Sequence, residues 1–229
     1  MLALIVFISF SIRTSNLEGL KDITTGEWTL GPDLDPFLFL RMAKDIVAQG
    51  HLNEPDMLRY APLGFYQSNE YLLLPYMMAW FHKVAVMFGS DSVTHSAILF
   101  PAVMFCFTVV AFFFMAREIF VDISGKKKAS IIATVSSFFL AVMPPLLPRT
   151  IAGIPEKESI GFLFIFLSIY FFIASFRRSG KKSGYLFAVL SGIFTAAMMH
   201  TWGGNAYIFF VILPALFISF LLGQVDKNK

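Results

Sequence analysis

Long apolar stretches separated by short basic links dominate this chain. The apolar runs lie at about 1–12, 96–119, 129–147, 160–176, 185–199 and 206–222, against the ~17–25 residues a helix needs to cross a bilayer. The run 1–12 is short of a span and reads as the remainder of a helix begun upstream, with a helix completed by a partner as the alternative. It lacks the basic leader and small-residue cleavage site of a secretory signal. Gly125-Lys126-Lys127-Lys128 follows the second run, Arg177-Arg178-Ser179-Gly180-Lys181-Lys182 the fourth, and Asp226-Lys227-Asn228-Lys229 the last. With six crossings these links share one side, which the positive-inside rule makes cytoplasmic, together with both ends of the chain. The opposite side receives the stretch 14–95, the link around Glu156, and 200–205.

The stretch 14–95 has its own order. Asp35 reads as a helix N-cap, Pro36 as the first helical residue and Gly50 as the stop. Apolar residues at 39, 42, 43, 46 and 47 give that helix one buried face. Arg59-Tyr60-Ala61-Pro62-Leu63-Gly64 reads as a turn-rich loop. The apolar stretch 71–88 is long enough to cross, but His82-Lys83 falls in its middle. A central charge costs about 2.5–3.5 kcal/mol on insertion scales. The stretch therefore reads as a helix lying in or near the outer interface, with a seventh crossing as the alternative.

Composition agrees with a polytopic, all-α membrane protein of about six spans and a long helical first outer loop. Hydrophobic residues make up 57% of the chain and charged residues 14%, where soluble domains carry about 25% charged. Mean hydropathy is +0.70. The net charge of +3 comes from clusters flanking apolar runs, so a nucleic-acid partner is not expected. A single cysteine, Cys106, excludes an internal disulfide and gives no metal-site pattern.

Against this background, Glu156-Lys157-Glu158 stands out at the non-cytoplasmic mouth of an apolar run. The inferred sidedness places Asp35 on the same face. Three carboxylates that can meet across two loops suit a hard divalent ion such as Mg2+ or Mn2+. Plainer readings compete: Asp35 as a helix cap, and the glutamates as acids favoured by a helix dipole by about 0.3–1 kcal/mol. Arg149 suits an interfacial snorkelling residue. His200 and Trp202 suit the aromatic belt, and Gly203-Gly204 a tight turn or close helix packing rather than a phosphate site.

Taken in order, these segments resemble the catalytic subunit of the N-linked oligosaccharyltransferases, especially the archaeal dolichyl-phosphooligosaccharide–protein glycotransferases. Asp35-Pro36-Phe37-Leu38-Phe39-Leu40-Arg41 resembles the family's first acidic motif, and Arg59–Gly64 a loop segment after it. Arg149-Thr150-Ile151-Ala152-Gly153, leading into Glu156-Lys157-Glu158, resembles the second, acid-x-acid motif. Thr201-Trp202-Gly203-Gly204 resembles a downstream turn. The resemblance implies part of a GT-C-type glycosyltransferase membrane domain. It implies Asp35 as a catalytic residue and metal ligand, Glu156 and Glu158 as further ligands of Mn2+ or Mg2+, and Arg149 at the donor phosphate. The implied partners are a lipid-linked oligosaccharide donor, an acceptor polypeptide bearing Asn-x-Ser/Thr, and membrane lipid. The family more often has Asp where Glu156 stands, a departure that lengthens the side chain by one carbon.

The family's later spans, its further catalytic glutamate and its sequon-reading Trp-Trp-Asp-Tyr-Gly domain have no counterpart in 1–229. The resemblance thus implies the N-terminal part of an enzyme, needing the remainder for activity. Three other readings stand beside it. They are another polyprenyl-phosphate-sugar-dependent membrane glycosyltransferase, an ion-coupled transporter module, and a non-catalytic assembly subunit. A transporter would place its acids near the membrane midplane.

Overall fold

The computed structural model describes residues 1–223, and at position 69 the backbone alone. The terminal basic stretch Asp226–Lys229 lies outside the described residues. The chain is helical, as its apolar runs predict. Helices α1 (Leu2–Arg13), α2 (Asp35–Gln49), α3 (Leu73–Ala85), α4 (Val93–Val142), α5 (Lys157–Arg177), α6 (Lys182–Met199) and α7 (Ala206–Leu221) are joined by loops and short 3₁₀ turns. Extended pairing among the described residues is limited to isolated bridges, Lys21 with Trp28 and Asp56 with Phe65.

Among the described residues, four segments are long and apolar enough to cross a membrane: α4, α5, α6, and Gly203–Leu221 containing α7. At 50 residues, α4 would be ~75 Å long at 1.5 Å per residue, over twice the ~30 Å hydrocarbon thickness. It is interrupted at Gly125, where φ 78 and ψ 160 leave the helical region. The expected spans 96–119 and 129–147 lie on either side of that break. The second helical run ends at Val142 rather than 147, because Pro144 and Pro145 open a 3₁₀ turn, Pro144–Arg149. Conversely α5 and α6 begin earlier than the apolar runs suggest, at Lys157 and Lys182, since polar residues are tolerated in a first turn.

The molecule divides into two compact units. The first holds Met1–Ser9, Phe105–Met143 and Gly161–Lys229, and is built from parts of α1, α4 and α5 with all of α6 and α7. Aromatic edges fill its interior, such as Phe112 on Phe166 and Phe162 on Trp202. Polar cross-links add to them: Ser168 and Thr195 hydroxyls 2.7 Å apart, and the Ser191 hydroxyl donating to the Ser168 carbonyl at 2.9 Å. With little hydrophobic drive between helices in lipid, such close contacts and hydrogen bonds hold neighbours together. Glu118 on α4 receives both Arg177 at 2.7 Å and Arg178 at 2.9 Å. A Cβ at Gly204 would stand 2.4 Å from the Trp202 ring, so the glycine lets the indole fold over the turn. This fits the tight-turn role expected there, at Gly204.

The second unit holds Phe10–Met104 and Pro144–Ile160. Its core is the packed pair α2 and α3. Phe39, Met42, Ala43 and Ile46 of α2 and Leu74, Met78 and Ala79 of α3 are buried, which is the α2 face that the apolar spacing predicts, except that Val47 is only half-buried. Helix α3 with the 3₁₀ turn Val86–Phe88 is shorter than the segments able to cross. Its His82 and Lys83 fall in the last turn rather than the middle. Trp80, Val84, Met87 and Phe88 are exposed.

Candidate functional site: two acidic segments pinned together

Asp35 does not cap α2. It is the first helical residue, Leu34 occupies the cap, and no side chain donates or accepts a capping bond there. Pro36 at the helix start accounts for the boundary, since its fixed φ pre-forms the first turn without needing an N–H partner. The Asp35 carboxylate is thus left exposed and uncommitted, with no hydrogen bond or ion pair among the described residues.

The Glu156 segment is nailed down residue by residue. The Ala152 N–H donates to the Arg13 carbonyl at 2.8 Å, the Gly153 N–H to that of Ile98 at 3.0 Å, and the Asn16 amide to that of Ala152 at 2.9 Å. Buried Arg13 reaches the Thr150 hydroxyl at 2.9 Å. Gly153 adopts φ +87, a left-handed conformation that glycine takes without strain. Any Cβ there would come within 2.6 Å of Leu20 Cδ1. Finally the Gly31 N–H donates to the Gly153 carbonyl at 2.9 Å. This single backbone bond brings the approach to Asp35 against the approach to Glu156.

As a result, acids from both segments share one electrostatic field. Glu156 is only 4% exposed. Its Oε1 accepts from Arg149 Nη1 at 3.1 Å, and the same guanidinium lies 3.7 Å from Asp33. Burial pushes the Glu156 carboxyl up to about 7, and the charges on Glu158, Asp33 and Asp35 add to the rise, while Arg149 opposes it. A carboxylate crowded by three others and one arginine is short of positive charge. The donors are all hard oxygens, the type that Mg2+ and Mn2+ prefer, and Glu158 is half-buried beside them. Chemistry and charge therefore fit a divalent cation. Among the described residues, however, no three acidic, histidine or cysteine side chains are already gathered as a ligand set.

Arg149, expected at a donor phosphate, stands here as the counter-charge of the acids, with its side chain 49% exposed. The sequence reading passed over Asp33 and Gly31. Asp33 had a signal: Asp33-x-Asp35 repeats the acid-x-acid spacing of Glu156-x-Glu158. Gly31 had none, because its importance lies in a contact across more than a hundred residues of chain.

A family model described as oligosaccharyl transferase STT3, N-terminal, matches residues 3–227. A dolichyl-phosphooligosaccharide-protein glycotransferase of Methanococcus voltae is 22% identical, the match covering 98% of this chain and 26% of that protein. The fold is that of the archaeal oligosaccharyltransferase AglB from Archaeoglobus fulgidus. One structure of it, in complex with an inhibitory peptide and a dolichol-phosphate, matches with a TM-score of 0.77 and 20% identity, over 100% of this chain and 26% of that one. Another, complexed with Zn and sulfate, matches with a TM-score of 0.77 and 22% identity, over 99% of this chain and 28% of that one. A third, tethered to an acceptor peptide containing the NVT sequon, matches with a TM-score of 0.75 and 21% identity, over 99% of this chain and 27% of that one. The chain thus spans about a quarter of the length of the relatives it matches. Matched over nearly its whole length and carrying both acidic segments in order, the chain belongs to the oligosaccharyl transferase STT3 N-terminal family.

Proposed function

We propose that this chain supplies part of the catalytic membrane region of an N-linked oligosaccharyltransferase. The reaction moves an oligosaccharide from a polyprenyl (dolichyl) phosphate or pyrophosphate to the asparagine of an Asn-x-Ser/Thr sequon, on the non-cytoplasmic face. The observation that carries this reading is the Gly31–Gly153 bond, which puts Asp33 and Asp35 in one field with Glu156 and Glu158. The relatives' dolichol-phosphate, zinc and sequon peptide support the same reading.

Asp35, Glu156 and Glu158 would hold the Mn2+ or Mg2+ ion. When bound, that ion offers Lewis-acid neutralisation of the charge that develops on the departing phosphate. The exposed Asp35 carboxylate is placed to accept an N–H from the acceptor amide. An amide nitrogen is a poor nucleophile because its lone pair is delocalised into the carbonyl. A carboxylate accepting its N–H localises that pair, so that the new N–C bond forms at the anomeric carbon as the carbon–oxygen bond to phosphate breaks and the displaced amide proton passes to the carboxylate. Arg149, half-exposed and already drawn toward Glu156, offers an N–H fork of the kind that binds phosphate oxygens.

The test incubates the intact enzyme with a dolichyl-linked glycan and a sequon peptide, with and without chelator. Glycopeptide should form, vanish with chelator and return with Mn2+ or Mg2+. Glycan transfer to a lipid or sugar acceptor, with the peptide untouched, would instead make the protein another polyprenyl-phosphate-dependent glycosyltransferase.

A further inference from the structure

Building on that reading, we propose that Lys157, the residue between the two glutamates, is a positioning residue that registers the second acidic segment against the first. A lysine in that place invites a simpler account, in which it neutralises its acidic neighbours. Its contacts point elsewhere. Among the described residues, its recorded ion pair is with Glu70, Nζ to Oε2 at 3.6 Å. The ammonium also lies 5.3 Å from the Phe39 ring centre and 5.2 Å from that of Tyr71, within the range at which a cation is attracted to an aromatic face. Its side chain is 22% exposed.

Two walls of this cage connect Lys157 to other parts of the unit. Phe39 is buried on α2, four residues and so about one helical turn past Asp35. Glu70 is held in place from its other oxygen, which accepts from Arg59 Nη2 at 2.9 Å. The Arg59 guanidinium in turn lies 3.9 Å over the Phe65 ring. One ammonium therefore links the Asp35 helix, the Arg59–Gly64 loop and the Glu156-Lys157-Glu158 segment.

Lys157 opens α5. Successive side chains on a helix point about 100° apart, so fixing the middle one fixes the rotation of the helix start and the directions of its neighbours. Fastened to α2 by Lys157, Glu156 and Glu158 are aimed relative to Asp35. Without it, the backbone bond at Gly153 and the Arg149 guanidinium between Glu156 and Asp33 are left to set that register.

The two accounts predict opposite signs. Manganese binding to the intact enzyme, without donor or acceptor, is read by Mn2+ electron paramagnetic resonance for wild type, Lys157→Met and Lys157→Arg. For a positioning residue, Lys157→Met weakens binding at least about tenfold, the loss typical of groups that orient metal ligands, while Lys157→Arg stays near wild type. For a neutralising charge, Lys157→Met binds Mn2+ as tightly as wild type or more tightly, which would overturn the proposal. Amide hydrogen exchange at 156–160 reads the clamp apart from the metal. It should quicken in Lys157→Met and not in Lys157→Arg. Unchanged exchange together with unchanged Mn2+ affinity sinks the clamp and leaves the enzyme reading standing. Quickened exchange in a protein whose wild type binds no Mn2+ keeps the clamp and sinks the metal reading.

Discussion

Two glycines set how closely the acidic segments approach, and they differ in what a side chain would meet. At Gly153 a Cβ would press on Leu20 Cδ1 at 2.6 Å, with Gly31 N at 3.1 Å, and φ is +87. At Gly31 the tightest neighbour is Ile154 Cγ1 at 3.0 Å, a side chain able to shift. Gly153→Ala should therefore destabilise the detergent-solubilised protein by about 1–3 kcal/mol, the cost of a strained backbone position. It should also cut glycopeptide formation at least tenfold. Gly31→Ala should cost less in the same thermal melts, because its new methyl meets a side chain that can shift and its φ is not left-handed. Equal melts for the two variants would contradict the account of Gly153. The string from Arg149 to Gly153 was legible as a family motif in the sequence. The reason for its glycine was not, because Leu20 and Gly31 are distant in the chain and only the fold brings them near. Asp33 was readable from its spacing to Asp35. The role of Lys157 was not legible, since nothing local announces Phe39, Glu70 and Tyr71 as its partners.

Helices were legible where periodicity and punctuation agree. The α2 face at 39, 42, 43 and 46 and its stop at Gly50 follow from apolar spacing and from glycine's ease at φ 85. Helix ends were less legible. An apolar run does not reveal that Pro144 and Pro145 stop the helix before Leu147, or that Lys157 and Lys182 join the helices after them. Asp35 reads as a cap from residue type alone, yet the structure starts the helix on it and frees its carboxylate. We propose that the basic links at 126–128 and 177–182 face the cytoplasm, as charge bias predicts. In a background where Cys106 is replaced by alanine, an impermeant maleimide applied to intact cells should label Thr24→Cys, in the outer stretch, and not Lys181→Cys. The reverse labelling would invert the proposed sidedness.

For the molecule as a whole, the family was legible because several weak segments occur in one order, with acids separated from basic links. None of these segments is specific alone. The fold shows why the order matters: α2, the loop after it and the start of α5 belong to one compact unit, and a backbone bond joins the approaches to both acidic pairs. The central claim is that these acids carry the chemistry rather than merely shape an assembly subunit. The most direct measurement is the rate of sequon-peptide glycosylation by the intact enzyme carrying Asp35→Ala or Glu158→Ala, with thermal melts confirming that each variant folds. Each variant should lose about a hundredfold or more in rate, as enzymes do when a group stabilising developing charge is removed. Wild-type rates from both folded variants would contradict the assignment.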